Sequence, residues 1–149
     1  MELILWRHAQ AEDQQPDQDD LERTLTGKGR KQAKTMAHWL HAHLPADPRI
    51  LVSPALRTRQ TADALEQPYI VVPALAPDAL PSALLAAAGW PIQPEPVLIV
   101  GHQPTLGLLA ARLLCGCEQA WSMKKGAVWW IRSEDNGASL VSVLSAEQI

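Results

Sequence analysis

The sequence has no phenylalanine, one tyrosine and only two cysteines. Cys115 and Cys117 are separated by a single residue, too close for an ordinary disulfide staple and too few for a zinc set of four ligands. The chain must therefore be held by a packed core, and a reducing, cytosolic location is expected. No run reaches the roughly 18 apolar residues a membrane span needs. The uncharged stretches 79–94 and 96–111 are broken by proline, glutamine and histidine. Only four apolar residues, Leu3 to Trp6, precede Arg7 and His8, so no secretory signal is expected. Excess positive charge is missing too. Thirteen Lys and Arg stand against sixteen Asp and Glu, a net charge of −3, which argues against nucleic acid as a partner. No fixed-period repeat is present.

What is present is globular in composition, with 47% hydrophobic and 19% charged residues in 149. That length suits one domain, here taken as residues 1–149. Short apolar runs alternate with helix-like stretches. Leu3–Trp6, Ile50–Val52 and Val97–Val100 read as buried strands, and Tyr69–Val72 as a shorter one. Thr26 can cap a helix over about 27–43, where Ala33, Met36, Ala37 and Leu40 share a face. Ser53-Pro54 reads as an N-cap and first helical residue, predicting a helix to about Glu66. Residues 79–88 have helical composition. Pro104 opens another helix, with Leu106, Leu109, Ala110 and Leu113 on one face. Residues 127–132 and 138–144 flank Asp135-Asn136-Gly137, which reads as a hairpin turn. The alternation predicts an α/β fold, a mostly parallel sheet covered on both faces, with an antiparallel strand at the C-terminal end.

Ligands of such sheets bind at the carboxyl ends of the strands. Three predicted strands end there in chemically informative residues: Arg7-His8, Ser53 with Arg57, and Gly101-His102-Gln103. Two arginines and two imidazoles at one edge suit a phosphoryl group. Arginine presents a planar fork of donors that stays charged. Histidine near neutral pH is a competent nucleophile. A helix starting after His102 is expected to add unpaired backbone N–H groups, among them that of Gln103.

These residues also carry a resemblance. Leu3-Ile4-Leu5-Trp6-Arg7-His8-Ala9 resembles the strand and RHG motif of the histidine phosphatase superfamily, whose fold is phosphoglycerate mutase-like. Ser53-Pro54-Ala55-Leu56-Arg57-Thr58-Arg59-Gln60-Thr61-Ala62 resembles its SPxxRxxQTA motif, and Gly101-His102 its third. Arg23-Thr24-Leu25-Thr26 with Gly29, and the length, are similar to the small SixA-type phosphohistidine phosphatases, which lack a large helical insertion. The resemblance implies a three-layer sandwich in one domain. It also implies a phosphohistidine intermediate on His8, with Arg7, Arg57 and His102 binding the phosphoryl oxygens. Ala9 stands where the family usually has glycine. An ordinary backbone there would make the alanine harmless, whereas positive φ would loosen the loop.

No motif places a general acid. Glu12, Asp13 and Asp78 are the candidates. Imidazole is a far better leaving group than an alkoxide, its conjugate acid having a pKa of roughly 6.5, so phosphohistidine can be cleaved without a strong acid. The expected substrate is therefore a phosphohistidine-bearing protein of a signalling or phosphotransfer system. The alternatives are a small-molecule phosphomonoesterase and a catalytically weak phosphate-binding module. No metal and no other cofactor is expected, nor any membrane contact, and the chain is expected to be monomeric and cytoplasmic.

Other features read more plainly. His38 and His41 share a helical face but His43 does not, which makes a poor metal set. Glu12, Asp13, Asp17, Asp19, Asp20 and Glu22 read as a solvated loop. Lys28, Arg30, Lys31 and Lys34 form a basic stretch, either a solvated face or a steering patch for an acidic phosphoprotein. The tryptophans are expected in the core and at its rim, with Trp6 turned away from Arg7.

Overall fold

A computed structural model describes residues 1–149. Six strands form one mixed sheet: β1 Glu2–Arg7, β2 Arg49–Val52, β3 Ile70–Val71, β4 Val97–Gly101, β5 Val128–Glu134 and β6 Gly137–Leu144. The spatial order is β3-β2-β4-β1-β5-β6. The first four run parallel, with Arg7 of β1 level with Gly101 of β4. β5 pairs antiparallel with β1, and β6 turns back antiparallel along β5. The C-terminal hairpin forms as the sequence predicts, and its antiparallel strand β5 lies inside the sheet, between β1 and β6. Asp135-Asn136 form its turn.

The helices α1 Gly27–His43, α2 Leu56–Asp63, α3 Pro81–Ala88 and α4 Thr105–Cys115 divide between the two faces. Strand alternation sets the division, because successive side chains point to opposite sides. Ile4, Trp6, Ile50, Val52, Leu98 and Val100 pack against Met36, Ala37 and Leu40 of α1 and Ala62 of α2. Leu3, Leu5, Leu51, Val97 and Ile99 pack against Leu84 and Ala88 of α3 and Leu106, Leu109 and Ala110 of α4. Each such Leu or Ile, fully buried, contributes about 1.5–3 kcal/mol. Trp6 lies in the first cluster, away from Arg7, and its Nε1 donates to the Gly126 carbonyl at 3.0 Å.

Local chemistry starts and stops the helices. Thr26 Oγ1 accepts from Gly29 N–H at 2.9 Å and caps α1 as the sequence predicts. α3 begins at Pro81 and stops at Gly89, whose φ is 72°, the usual proline-first, glycine-last arrangement. α2 departs from expectation. It begins at Leu56, not Pro54, and ends at Asp63, not Glu66; Ala55 at its N-cap makes no side-chain cap bond. The Ser53 hydroxyl is engaged elsewhere, by His102 Nε2 at 2.7 Å and Ala55 N–H at 3.3 Å. The connection around Pro54 is held instead by Thr58 Oγ1, within hydrogen-bond reach of the Ser53 and Ala55 carbonyls.

The order of strands creates the site. β1 and β4 are neighbours, yet the chain leaves β1 through α1 on one face and β4 through α4 on the other. The following helices diverge, and a crevice opens at the strands' carboxyl ends. No helix is long and apolar enough to cross a membrane.

Candidate active site

His8 follows β1 and His102 follows β4. His8 N–H donates to the Gly101 carbonyl at 3.1 Å, and the two rings lie 5.4 Å apart, tilted by 56°. Arg57 reaches the same place from the first turn of α2. A cleft of about 360 Å³ contains all four predicted residues, Arg7, His8, Arg57 and His102, together with Gln103, Asp13 and Asp78. It is also lined by Asp20, Arg23 and Lys125, and its walls are almost wholly polar. Glu12 is exposed and lies outside the lining; its backbone carbonyl accepts from Arg23 Nε at 2.8 Å.

The protonation states follow from contacts. His8 Nδ1 sits 2.7 Å from the Ala9 carbonyl. A carbonyl only accepts, so Nδ1 carries the proton and Nε2 keeps its lone pair. Burial pushes the His8 pKa down to about 4, assisted by the Arg57, Arg7 and Arg23 charges and opposed by the Ala9 bond. His102 is pushed down to about 3, first by burial, then by His8 and Arg57. Both rings are neutral at pH 7. Ser53 Oγ accepts from Ala55 N–H at 3.3 Å and lies 2.7 Å from His102 Nε2, which fixes the ring and leaves its Nδ1 edge without a contact to Ser53. That Nδ1 is buried with no protein partner, as are Nε of Arg7 and Nε of Arg57. All three residues line the cleft, and a cationic lining with unpartnered polar atoms suits an oxyanion ligand. Burial also lowers the Arg7 pKa from its usual value, though guanidinium remains charged. Arg7 Nη1 donates to the Met123 carbonyl at 2.7 Å.

Ala9 resolves the departure from the motif. It is fully buried and is not among the residues with positive φ. Its N–H donates to Thr61 Oγ1 at 3.0 Å. Alanine therefore fits this backbone without strain.

The Gln103 side chain is used internally, accepting from Gly107 N–H at 2.6 Å and donating to the Trp121 carbonyl at 2.9 Å. The N–H groups of Leu106 and Leu108 pair with the His102 and Pro104 carbonyls. The start of α4 thus offers fewer free donors than the expected bare helix end, although Gln103 lines the cleft.

The acidic segment is not simply a solvated loop. Asp20, in a short 3₁₀ turn Asp20–Glu22, bridges Arg57 and Arg23 at 3.0 and 3.1 Å. Desolvation works against its charge, but hydrogen bonds from Arg23 and Arg57 outweigh this and hold its carboxyl below the usual range. Sequence reading missed Asp20 as a site residue. The signal was its place three residues before Arg23. Lys125 gave no signal at all.

No three or more His, Cys, Asp or Glu side chains are grouped to hold a metal ion. His41 Nε2 contacts the Leu65 carbonyl at 2.6 Å, and His43 stacks on Trp39. Lys28, Arg30, Lys31 and Lys34 are exposed on α1. Cys115 and Cys117 are free and exposed.

A doubly covered sheet whose carboxyl edge brings two histidines and two arginines together suits the binding and transfer of a phosphoryl group. The sequence profile of the histidine phosphatase superfamily (branch 1) matches residues 3–76. An uncharacterized protein from Picosynechococcus sp. is 36% identical over 141 residues, covering 89% of this chain and 86% of its own. This chain belongs to the histidine phosphatase superfamily. It is similar to the protein histidine phosphatase SixA solved with tungstate: 26% identity, TM-score 0.78, 99% of each chain covered. A phosphoserine phosphatase from Entamoeba histolytica, in complex with 3-phosphoglyceric acid, shares the fold at 14% identity and TM-score 0.74, covering 95% of each chain.

Proposed function

We propose that this phosphatase acts on phosphohistidine in a protein of a signalling or phosphotransfer system, as one histidine phosphatase domain over residues 1–149. The observation that carries the reading is the state of His8. Its ring is neutral, its Nδ1–H is tied to the Ala9 carbonyl, and its Nε2 lone pair is left for attack. Nε2 forms a bond to phosphorus while the bond from phosphorus to the substrate nitrogen breaks; the substrate ring, protonated from water on its other nitrogen, departs as neutral imidazole. Arg7, Arg57 and His102 donate to the phosphoryl oxygens as charge moves, with the Gln103 backbone N–H as a further donor. Positioning and electrostatics supply the rate. Water then cleaves phospho-His8, releasing phosphate and restoring the ring. The arginines balance the phosphoryl charge, so no metal or other cofactor is needed.

The leaving group supports the choice of substrate. Asp20 is held ionised by two arginines and Glu12 is outside the cleft, and neither suits an acid. Phosphohistidine releases imidazole without one. The protein works as a cytoplasmic monomer, with no nucleic-acid or membrane partner. The second reading, a small-molecule phosphomonoesterase, draws on Asp13 and Asp78 at the cleft wall. A side-by-side rate measurement on a phosphohistidine protein, p-nitrophenyl phosphate and phosphoserine tests the assignment. Efficient phosphoserine hydrolysis would move it to the second reading.

A further inference from the structure

Arg57 is a long side chain on a helix and must give up rotamer freedom to hold one pose. Its anchor comes from a distant residue. Nη1 donates to the Asp20 backbone carbonyl at 2.8 Å and Nη2 to Asp20 Oδ2 at 3.0 Å. The other carboxylate oxygen, Oδ1, takes Arg23 Nη1 at 3.1 Å. Arg23 is itself fixed through Nε to the Glu12 carbonyl. Asp19 accepts from Leu21 N–H at 3.0 Å and caps the turn that presents Asp20. The Nη end of Arg57 is thus gripped twice by one residue, while its Nε has no protein acceptor.

We propose that Asp20 is a positioning residue for phosphoryl binding. It grips the Nη end of Arg57 and so holds the guanidinium in place at the cleft wall for a phosphoryl oxygen, and Arg23 fixes and neutralises its carboxylate from the other side. The proposal rests on reading the cleft as a phosphoryl site. A lone carboxylate here would repel a phosphoryl dianion, since like charges a few ångströms apart cost energy even in a partly wet site. Two flanking guanidinium groups offset that repulsion, so Asp20 can orient Arg57 without opposing the ligand. The converse role, a carboxylate that competes with the ligand for Arg57, makes the opposite prediction for binding.

Tungstate affinity, measured by calorimetry, separates these roles without requiring the physiological substrate. Asp20→Ala should weaken tungstate binding by about tenfold or more, the worth of a hydrogen bond between charged groups. Asp20→Asn should fall between Asp20→Ala and the wild type. In an Arg57→Ala background, Asp20→Ala should change affinity less than about twofold, because the partner it positions is gone. A general folding role would weaken both backgrounds alike. Unchanged or tighter binding in Asp20→Ala, or equal losses in both backgrounds, would overturn the proposal. Should Asp20→Ala not fold, Asp20→Asn in the two backgrounds decides by the same criteria. Absence of tungstate binding by the wild type would instead overturn the reading of the cleft, and Asp20's role with it.

Discussion

His8 and His102 face each other across 5.4 Å because β1 and β4 lie side by side in parallel and each ends in its histidine. Burial, assisted by the nearby arginines, holds both rings neutral, with pKa values pushed down to about 4 and about 3. The acid limb of kcat/KM should therefore lie near pH 4, well below the ordinary histidine range. A limb near pH 6.5 in the pH–rate profile would contradict a shielded nucleophile.

The same shifts act on stability. An unfolded histidine binds a proton near pH 6.5, while the folded rings resist one until about pH 4 or lower. Acidification from 6.5 towards 4 thus favours the unfolded chain, and above 6.5 these residues add no pH dependence. Denaturation midpoints should fall between pH 7 and pH 5, and the fall should shrink in His8→Ala. An undiminished fall in that variant would assign the effect to other groups.

Brief reaction with a radiolabelled phosphodonor, quenched in alkali, should leave an alkali-stable, acid-labile label on the protein. His8→Ala should remove it. Label persisting in that variant would exclude His8 as the nucleophile. Chelation with EDTA should leave turnover unchanged.

Arg7→Ala, Arg57→Ala and His102→Ala each delete a donor to the phosphoryl group. Each should slow turnover on the order of 10²–10³-fold and weaken competitive inhibition by vanadate. Unchanged vanadate affinity in both arginine variants would place the phosphoryl pocket elsewhere.

If imidazole leaves unaided, the carboxylates matter little. Asp13→Asn, Asp78→Asn and Glu12→Gln should each change the phosphohistidine rate less than about tenfold, below the 10²–10⁴ typical of a lost general acid. A larger loss in one of them would identify the acid.

Ala9→Gly should leave turnover within about twofold and lower stability by about 0.5–1 kcal/mol through added chain entropy. Gly29→Ala should be the opposite case. Its added Cβ would fall 1.9 Å from the Gln10 carbonyl oxygen, so the turn from β1 into α1 must move, costing about 1–3 kcal/mol or more. Thermal denaturation of the two variants distinguishes these outcomes.

The sequence by itself determined what short-range physics controls. The apolar periodicity of α1 and its Thr26 cap, the helical composition of residues 79–88, and the continuous apolar strands ending in Arg7-His8 and Gly101-His102 were legible because sterics, capping and burial act within a few residues. The strand ends and the first turn of α2 also carried four of the cleft's residues, Arg7, His8, Arg57 and His102, since a parallel sheet exposes one edge to ligands. The rest depended on strand order. Ser53 reads as a helix cap locally, but its hydroxyl contacts His102, 49 residues away. Asp20 reads as one of many solvated acids, yet it grips Arg57 across 37 residues. Lys125 reaches the cleft only because β5 is inserted beside β1. Such pairings are decided by which sheet faces must be covered and which strands then become neighbours, and local sequence carries no record of that choice.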